Sequence, residues 1–146
     1  MIPQRLLRAY RNTAYHASLP SGDTVIRVGE CSAALDGLLR ATGHAEWACV
    51  SAQNPGSVLD APGNPARHAR LRDQLAERRL TWFPARAIAD DGGWPAEESV
   101  VILGLGVEAA TALGRAHGQL AVLAGILGGP ALLVRCADGS VAAGAD

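Results

Sequence analysis

Two almost uninterrupted apolar runs constrain the fold of this chain more than any other feature. Residues 46–52 contain tryptophan, alanine, cysteine and valine in succession, and residues 99–103 contain two valines, isoleucine and leucine. Successive side chains of a strand point to opposite faces of a sheet, so a strand that is apolar on both parities is covered on both faces. The two runs therefore predict central, buried strands.

Shorter patterns predict the elements around these strands. Helices are expected after Pro3 with an apolar stripe of Leu6, Leu7, Tyr10 and Ala14, from the cap Ser32 to Gly43, from the cap Asn64 to about Arg79, and over residues 107–117. Strands are expected over residues 24–28, 81–89, 120–126 and 131–135, with 81–89 at an edge because Pro84 cannot donate to a ladder. The sequence predicts an α/β (α+β) single domain over residues 1–146, a mixed five- to six-stranded sheet with helices packed on it.

Charge and composition exclude several classes of function. The chain has 13 basic residues, all arginine, against 14 acidic ones, and a net charge of −1 gives no overall field that would attract nucleic acid. The apolar run over residues 120–134 is shorter than the roughly 20 residues of a membrane-spanning helix, and Gly128, Gly129 and Pro130 interrupt it. Three widely separated cysteines and the lack of a secretory signal indicate a reducing, cytoplasmic location. No nucleic-acid or membrane partner is predicted.

A glycine motif lies between the second apolar run and the next helix. Residues 104–109 read Gly-Leu-Gly-Val-Glu-Ala, the spacing of a dinucleotide-binding turn. The acidic residue that would hold a ribose about 20 positions later is absent, so the motif predicts a tight strand-to-helix turn. Nor do His44, Glu46 and Cys49 form a metal site, since Cys49 is on the opposite parity of its strand. The sequence predicts no cofactor and no metal.

The segment that favours a ligand site is residues 51–67. A central strand leads into Asn54-Pro55-Gly56-Ser57, the order of a type II turn, and the same order recurs at residues 61–64 before the next helix. Asn54 and Ser57 can form hydrogen bonds, and Asn64 is the predicted cap of a helix whose first N–H groups are free. Arg67 in the first turn opposes the helix dipole, which suits a bound anion or a nearby carboxylate.

Glu97 and Glu98 precede the second apolar run. On an extended chain they point to opposite faces, so at most one of them can serve a site. A carboxylate that enters a covered sheet needs a partner, and Arg67 is one candidate. An acidic loop in solvent is the alternative.

Together these residues resemble a known family of uncharacterised bacterial proteins, domain of unknown function 3293. The resemblance rests on Tyr10, Thr13 and Tyr15, residues 47–57, Asn64, Arg67 and Leu71, Glu97-Glu98-Ser99, and Gly118-Gln119, and its most specific part ends in Asn-Pro-Gly-Ser. Gln53 departs from the large residue, such as tryptophan, expected before Asn-Pro. The resemblance implies a small cytoplasmic bacterial protein with polar positions Asn54, Ser57, Asn64, Arg67, Glu98 and Gln119, but no mechanism.

Three functions remain open on the sequence. The leading hypothesis is binding of a small anionic or nucleotide-like ligand at the polar positions just named. The second is a hydrolase or transferase with Glu98 as acid or base, which requires burial of that carboxyl group. The third is a protein-interaction domain, for instance a homodimer, without a small-molecule pocket.

Overall fold

The computed structural model describes residues 2–145, and this part of the chain forms four α-helices and one eight-stranded sheet. The helices are α1 (Gln4–Arg11), α2 (Ala33–Thr42), α3 (Asn64–Glu77) and α4 (Val107–Ala116). The strands are β1 (Thr13–Leu19), β2 (Gly22–Ile26), β3 (Glu46–Ser51), β4 (Trp82–Ala89), β5 (Glu97–Leu103), β6 (Ala121–Ile126), β7 (Leu132–Arg135) and β8 (Val141–Ala143). None of the helices in residues 2–145 has the length and apolar composition of a membrane span.

The sheet has the strand order β2-β1-β4-β5-β3-β6-β7-β8, and all of its ladders are antiparallel. The α+β class is confirmed, whereas a mixed sheet of five to six strands is wrong in both number and orientation. Helix α4 joins β5 to β6, as in a parallel βαβ unit, but β3 lies between these strands and runs against both. The helix therefore connects β5 and β6 although these two strands form no hydrogen-bonded parallel pair.

The two strands that the sequence pattern did not reveal are β1 and β8. The first helix was predicted to include Ala14, but it ends at Arg11, and the Thr13 hydroxyl donates to the Ala9 carbonyl at 2.7 Å just beyond its end. From Thr13 onward the backbone is extended, and from Tyr15 onward buried side chains alternate with exposed ones. Ala14, whose spacing fits the apolar stripe of α1, thus belongs to the following strand.

Strand β4 is not at an edge, contrary to the prediction from Pro84. It lies between β1 and β5. Its ladder with β1 stops at Ala85, so Pro84 has a neighbouring residue only in β5, Val100. The missing N–H of proline is tolerated because the ladder between β4 and β1 ends before this point.

Both faces of the sheet are covered, as the two apolar runs predicted. The face called here the α1 face packs α1 and α2 and includes Trp47, Cys49, Val101, Leu103, Leu35 and Leu39. The opposite face packs α3 and α4 and includes Ala48, Val50, Val100, Ile102, Leu71 and Leu113. Alternate residues of β3 and β5 therefore enter two separate cores.

The two ends of the sheet approach each other. Val28, which follows β2, forms an isolated parallel bridge with Ala131, just before β7. The Gly29 N–H donates to the Ala131 carbonyl at 2.8 Å, and the Ala131 N–H donates to the Glu30 carbonyl at 3.0 Å. The sheet is therefore curved around the core on its α1 face.

Candidate functional site

A cavity of about 500 Å³ lies between α1 and the sheet. Helix α1 contributes Leu6 and Tyr10 to its lining, and the far side is formed by apolar residues of β6 and β7, among them Leu123 and Leu133. The loop after β3 and the loop before β5 close one end. We call this end, formed by Asn54, Ser57, Trp94 and Glu97, the polar end.

The cavity exists because small side chains occupy the centre of the α1 face. Residues opposite each other in antiparallel ladders share a face, and the registers place Tyr15, Ala87 and Glu97 in one row. The next row is Ala17, Ala85, Ser99 and Ser51. Of these small residues, Ala87, Ser99 and Ser51 line the cavity; their side chains project too little to meet α1, so space remains above them.

Asn54 connects the elements at the polar end. Its side chain is buried, its Nδ2 donates to Glu97 Oε2 at 2.7 Å, and its Oδ1 accepts from the Asp60 N–H at 2.9 Å. Asn64 forms two more bonds with it: Asn64 Nδ2 donates to Asn54 Oδ1, and the Asn54 N–H donates to Asn64 Oδ1, both at 2.9 Å. One amide thus joins the loop after β3 to β5 and α3.

The first predicted turn has two features of the type II turn. The Ser57 N–H donates to the Asn54 carbonyl at 3.0 Å, and Gly56 has the positive φ, 67°, that the third position of this turn requires. Asn54 and Ser57 are also left-handed, with φ of 49° and 60°. Outside glycine such backbone is costly and concentrates at functional sites. Three left-handed residues within four positions mark this loop as one that its surroundings hold in place.

The second turn and the predicted cap of α3 differ from expectation. Gly63 has φ −84°, so no type II turn forms there. Asn64 has helical angles, φ −63° and ψ −42°, and no side-chain cap bond is made at this helix start. Its predicted role as N-cap is wrong because its amide binds Asn54 instead.

Arg67 is held by a carboxylate, one of the two partners that its position suggested. Its guanidinium pairs with Asp60 and also donates to Asn64 Oδ1 at 3.2 Å. The neighbouring arginine holds the pKa of Asp60 below the ordinary value of 3.8. Arg67 is not part of the cavity lining. Its pairing with Glu97 or Glu98, considered from the sequence, does not occur.

Replacing Arg67 with alanine is expected to destabilise the protein at neutral pH but not in strong acid. Because the folded-state pKa of Asp60 is depressed, the ion pair contributes stability above the ordinary carboxyl pKa of 3.8, and this contribution disappears as the pH falls through the lower folded value. Urea unfolding at neutral pH and near the onset of acid unfolding measures the difference. Arg40→Ala, which removes a cation without an ion pair among the described residues, is the control. An effect of Arg67→Ala that is unchanged by acid would contradict the assignment.

The two glutamates lie on opposite faces, as strand geometry predicted. Glu97 lines the cavity, whereas Glu98 is on the α3 side, where its carboxylate lies 3.5 Å from Arg86 with 46% of its side chain exposed. The Glu98 backbone N–H, by contrast, donates to Gln53 Oε1 at 2.8 Å. Gln53 thus binds the start of β5 at the position where a larger residue was expected.

The predicted polar positions are brought together only in part. Asn54, Ser57 and Gln119 line the cavity, and Gln119 Nε2 donates to the Gln53 carbonyl at 3.0 Å. Asn64 lies behind Asn54, whereas Arg67 and Glu98 are outside the lining. Sequence reasoning missed most of the lining, above all the residues Tyr10, Tyr15, Ser51, Trp94, Glu97 and Ser99. The family resemblance included all of these residues except Trp94, and the opposite parity of Glu97 and Glu98 left Glu97 open as the residue that serves a site.

Burial keeps the hydroxyl and thiol groups of the cavity protonated. It raises the pKa of Tyr10 to about 12, assisted by the negative charge of Glu97 and opposed by Ser57, and it raises the pKa of Tyr15 well above 10. Burial also raises the pKa of the Cys49 thiol to about 11, so no thiolate nucleophile is present at neutral pH. Three charged lining residues, Arg5, Arg8 and Asp91, are exposed, so the half-buried carboxylate of Glu97 is the charged group nearest these neutral donors.

The glycine motif at residues 104–109 forms the predicted tight turn. Gly104 has φ 75°, and the Glu46 carboxylate lies against the Cα of Gly106, where a Cβ would clash with it. A protein carboxylate thus occupies the space at the start of α4 that a pyrophosphate would need. No group of three or more metal-ligating side chains occurs within residues 2–145.

Comparison with known proteins gives one match. The sequence profile of the family described as "Protein of unknown function (DUF3293)" matches residues 50–122, half of the chain. The chain belongs to this family. The DUF3293 match contains Asn54, Ser57, Glu97 and Gln119, whereas Tyr10 and the rest of α1 lie before it. No curated protein and no solved structure matches the chain.

Proposed function

We propose that this DUF3293 protein is a binding domain for a small molecule, which occupies the cavity between α1 and the sheet. The observation that carries the proposal is the cavity itself: its volume of about 500 Å³ is within the usual range of ligand pockets, roughly 300–1,000 Å³. Its walls are mainly apolar, and Asn54, Ser57, Trp94 and Glu97 form a polar end. This combination is typical of ligand sites.

The organisation of the polar end supports a binding site over a packing defect. Protein interiors leave few voids larger than a water molecule, since empty space forfeits contacts. Here the space is bordered by a loop with left-handed Asn54 and Ser57, held by side-chain hydrogen bonds on both sides. Backbone strain of this kind persists only where the surroundings fix it.

The other functions predicted from the sequence find less support. A hydrolase or transferase based on Glu98 needs a buried carboxyl group, and Glu98 is half exposed beside Arg86. A pure interaction domain was expected to lack a pocket. An anionic or nucleotide-like ligand stays a prediction, as do a bacterial, cytoplasmic setting and a homodimer; the cations available to such an anion are Arg5 and Arg8 on α1.

Filling the cavity tests the proposal. Ala87 lies between Tyr15 and Glu97 in the sheet, so Ala87→Phe should occupy the space above the small residues and abolish ligand binding. Fluorine NMR with a fragment panel of amines, carboxylic acids, nucleotides and neutral aromatics measures binding to both proteins. Ala41→Phe, on an exposed part of α2, is the matched control and should bind as the wild type does. The proposal fails if no fragment binds, or if Ala87→Phe binds them equally well.

A further inference from the structure

We infer that the ligand of this cavity carries a protonated amine on an apolar body, and that Glu97 binds the amine. The inference rests on the proposed function and specifies its ligand. The starting point is the position of Glu97, which lines the cavity beside Ala87 and is half-buried. Partial burial of a carboxylate costs free energy of desolvation unless an opposite charge or several hydrogen bonds compensate for it.

The protein compensates the negative charge of Glu97 only in part. Glu97 accepts hydrogen bonds from Asn54 Nδ2 at 2.7 Å and from Trp94 Nε1 at 2.9 Å, and both bonds are made to Oε2. Oε1 accepts none from the described residues. Nor does a described arginine or histidine form an ion pair with Glu97, although three other carboxylates, Asp60, Asp90 and Glu98, have arginine partners. Neutral donors therefore fix Oε2 of Glu97, whereas Oε1 and the negative charge can interact with a ligand.

The surroundings of Glu97 suit an organic cation. Tyr10, Tyr15 and Trp94 line the same cavity, and aromatic rings attract ammonium groups. The charge of Glu97 contributes to raising the pKa of both tyrosines, and no cation is among the causes that act on either. Leu6, Leu123 and the other apolar lining residues would cover the body of the ligand.

The two arginines of the lining do not change this conclusion. Arg5 and Arg8 are exposed residues of α1, so solvent screens their charges. If they determined the ligand, an anion would bind better than an amine. The inference thus differs from the anionic ligand predicted by the sequence, and one experiment distinguishes the two.

The experiment compares three probes of nearly equal shape: phenethylamine, its neutral analogue phenethyl alcohol, and the anion phenylacetate. Their dissociation constants are measured by NMR titration with wild-type protein and with Glu97→Gln. Glutamine keeps an oxygen that accepts from Asn54 and Trp94, so the variant removes the charge and leaves the loop connections. Circular dichroism and thermal unfolding check that it folds as the wild type does.

We expect the wild type to bind the amine at least about tenfold more tightly than the alcohol, and Glu97→Gln to lose this preference. The inference is overturned if the alcohol or phenylacetate binds as tightly as the amine, or if the variant keeps the preference. In these cases the cavity still binds a small molecule, so the proposed function stands. If none of the three probes binds, the inference is also overturned, and the fragment panel with Ala87→Phe decides the proposed function separately.

Discussion

Replacing Asn54 with alanine is expected to lower the free energy of unfolding by about 3 kcal/mol. The buried amide makes bonds to Glu97, Asp60 and Asn64, and its loss leaves their polar groups without these partners. Alanine also tolerates the left-handed backbone at φ 49° less well than asparagine does. Urea unfolding followed by circular dichroism measures the change.

A second substitution at this position separates the two causes. Asn54→Gly removes the same hydrogen bonds but adopts positive φ freely, so it should be less destabilising than Asn54→Ala by about 1 kcal/mol. Equal stabilities of the two variants would show that backbone strain plays no part. A loss below 1 kcal/mol in both would contradict the role of Asn54 as the link between the loop, β5 and α3.

Gly125→Ala is expected to cost about 3 kcal/mol, for a reason of packing and not of backbone conformation. Gly125 of β6 is opposite Trp47 of β3, and a Cβ at Gly125 would lie 2.5 Å from Trp47 Nε1 and 2.7 Å from its Cε2. The indole is buried, with 3% of its surface exposed, so it cannot move aside without disturbing the core. Thermal and urea unfolding test this.

The matched control for this change is Gly37→Ala in α2. An added methyl group there meets no atom within 4 Å, and alanine favours helix, so the variant should gain about 0.5–1 kcal/mol. If Gly125→Ala were as stable as the wild type, the packing of Trp47 over Gly125 would be incorrect.

Local sequence patterns predicted the elements of this fold better than their arrangement. The two apolar runs identified β3 and β5 as central because a strand that is buried on both faces is apolar at nearly every residue. The order and direction of the strands in the sheet do not affect composition in this way. A strand-helix-strand pattern describes β5, α4 and β6 equally well with or without β3 between them. Ala14 shows a further limit, since one small apolar residue fits the period of a helix and of a strand alike.

The candidate site was predicted less completely, because the cavity exists where side chains are small. Ala87, Ser99 and Ser51 make space because they are small and lie in two neighbouring rows of three strands. These rows depend on ladder register, which one sequence does not reveal. The polar turn was found because its glycine and proline have local meaning. Arg67 was correctly expected to need a partner, but Asp60 became apparent only when the loop was seen to bring it there.

The bridge between Val28 and Ala131 also affects how the nascent chain acquires its structure. The hairpin of β1 and β2 leaves the ribosome well before the segment that meets it, a hundred residues later. Domains can begin to fold during translation, but unpaired strand edges on incomplete chains are prone to association. On the emerging polypeptide, the residues after β2 therefore lack their bridge partner until Ala131 has left the ribosome.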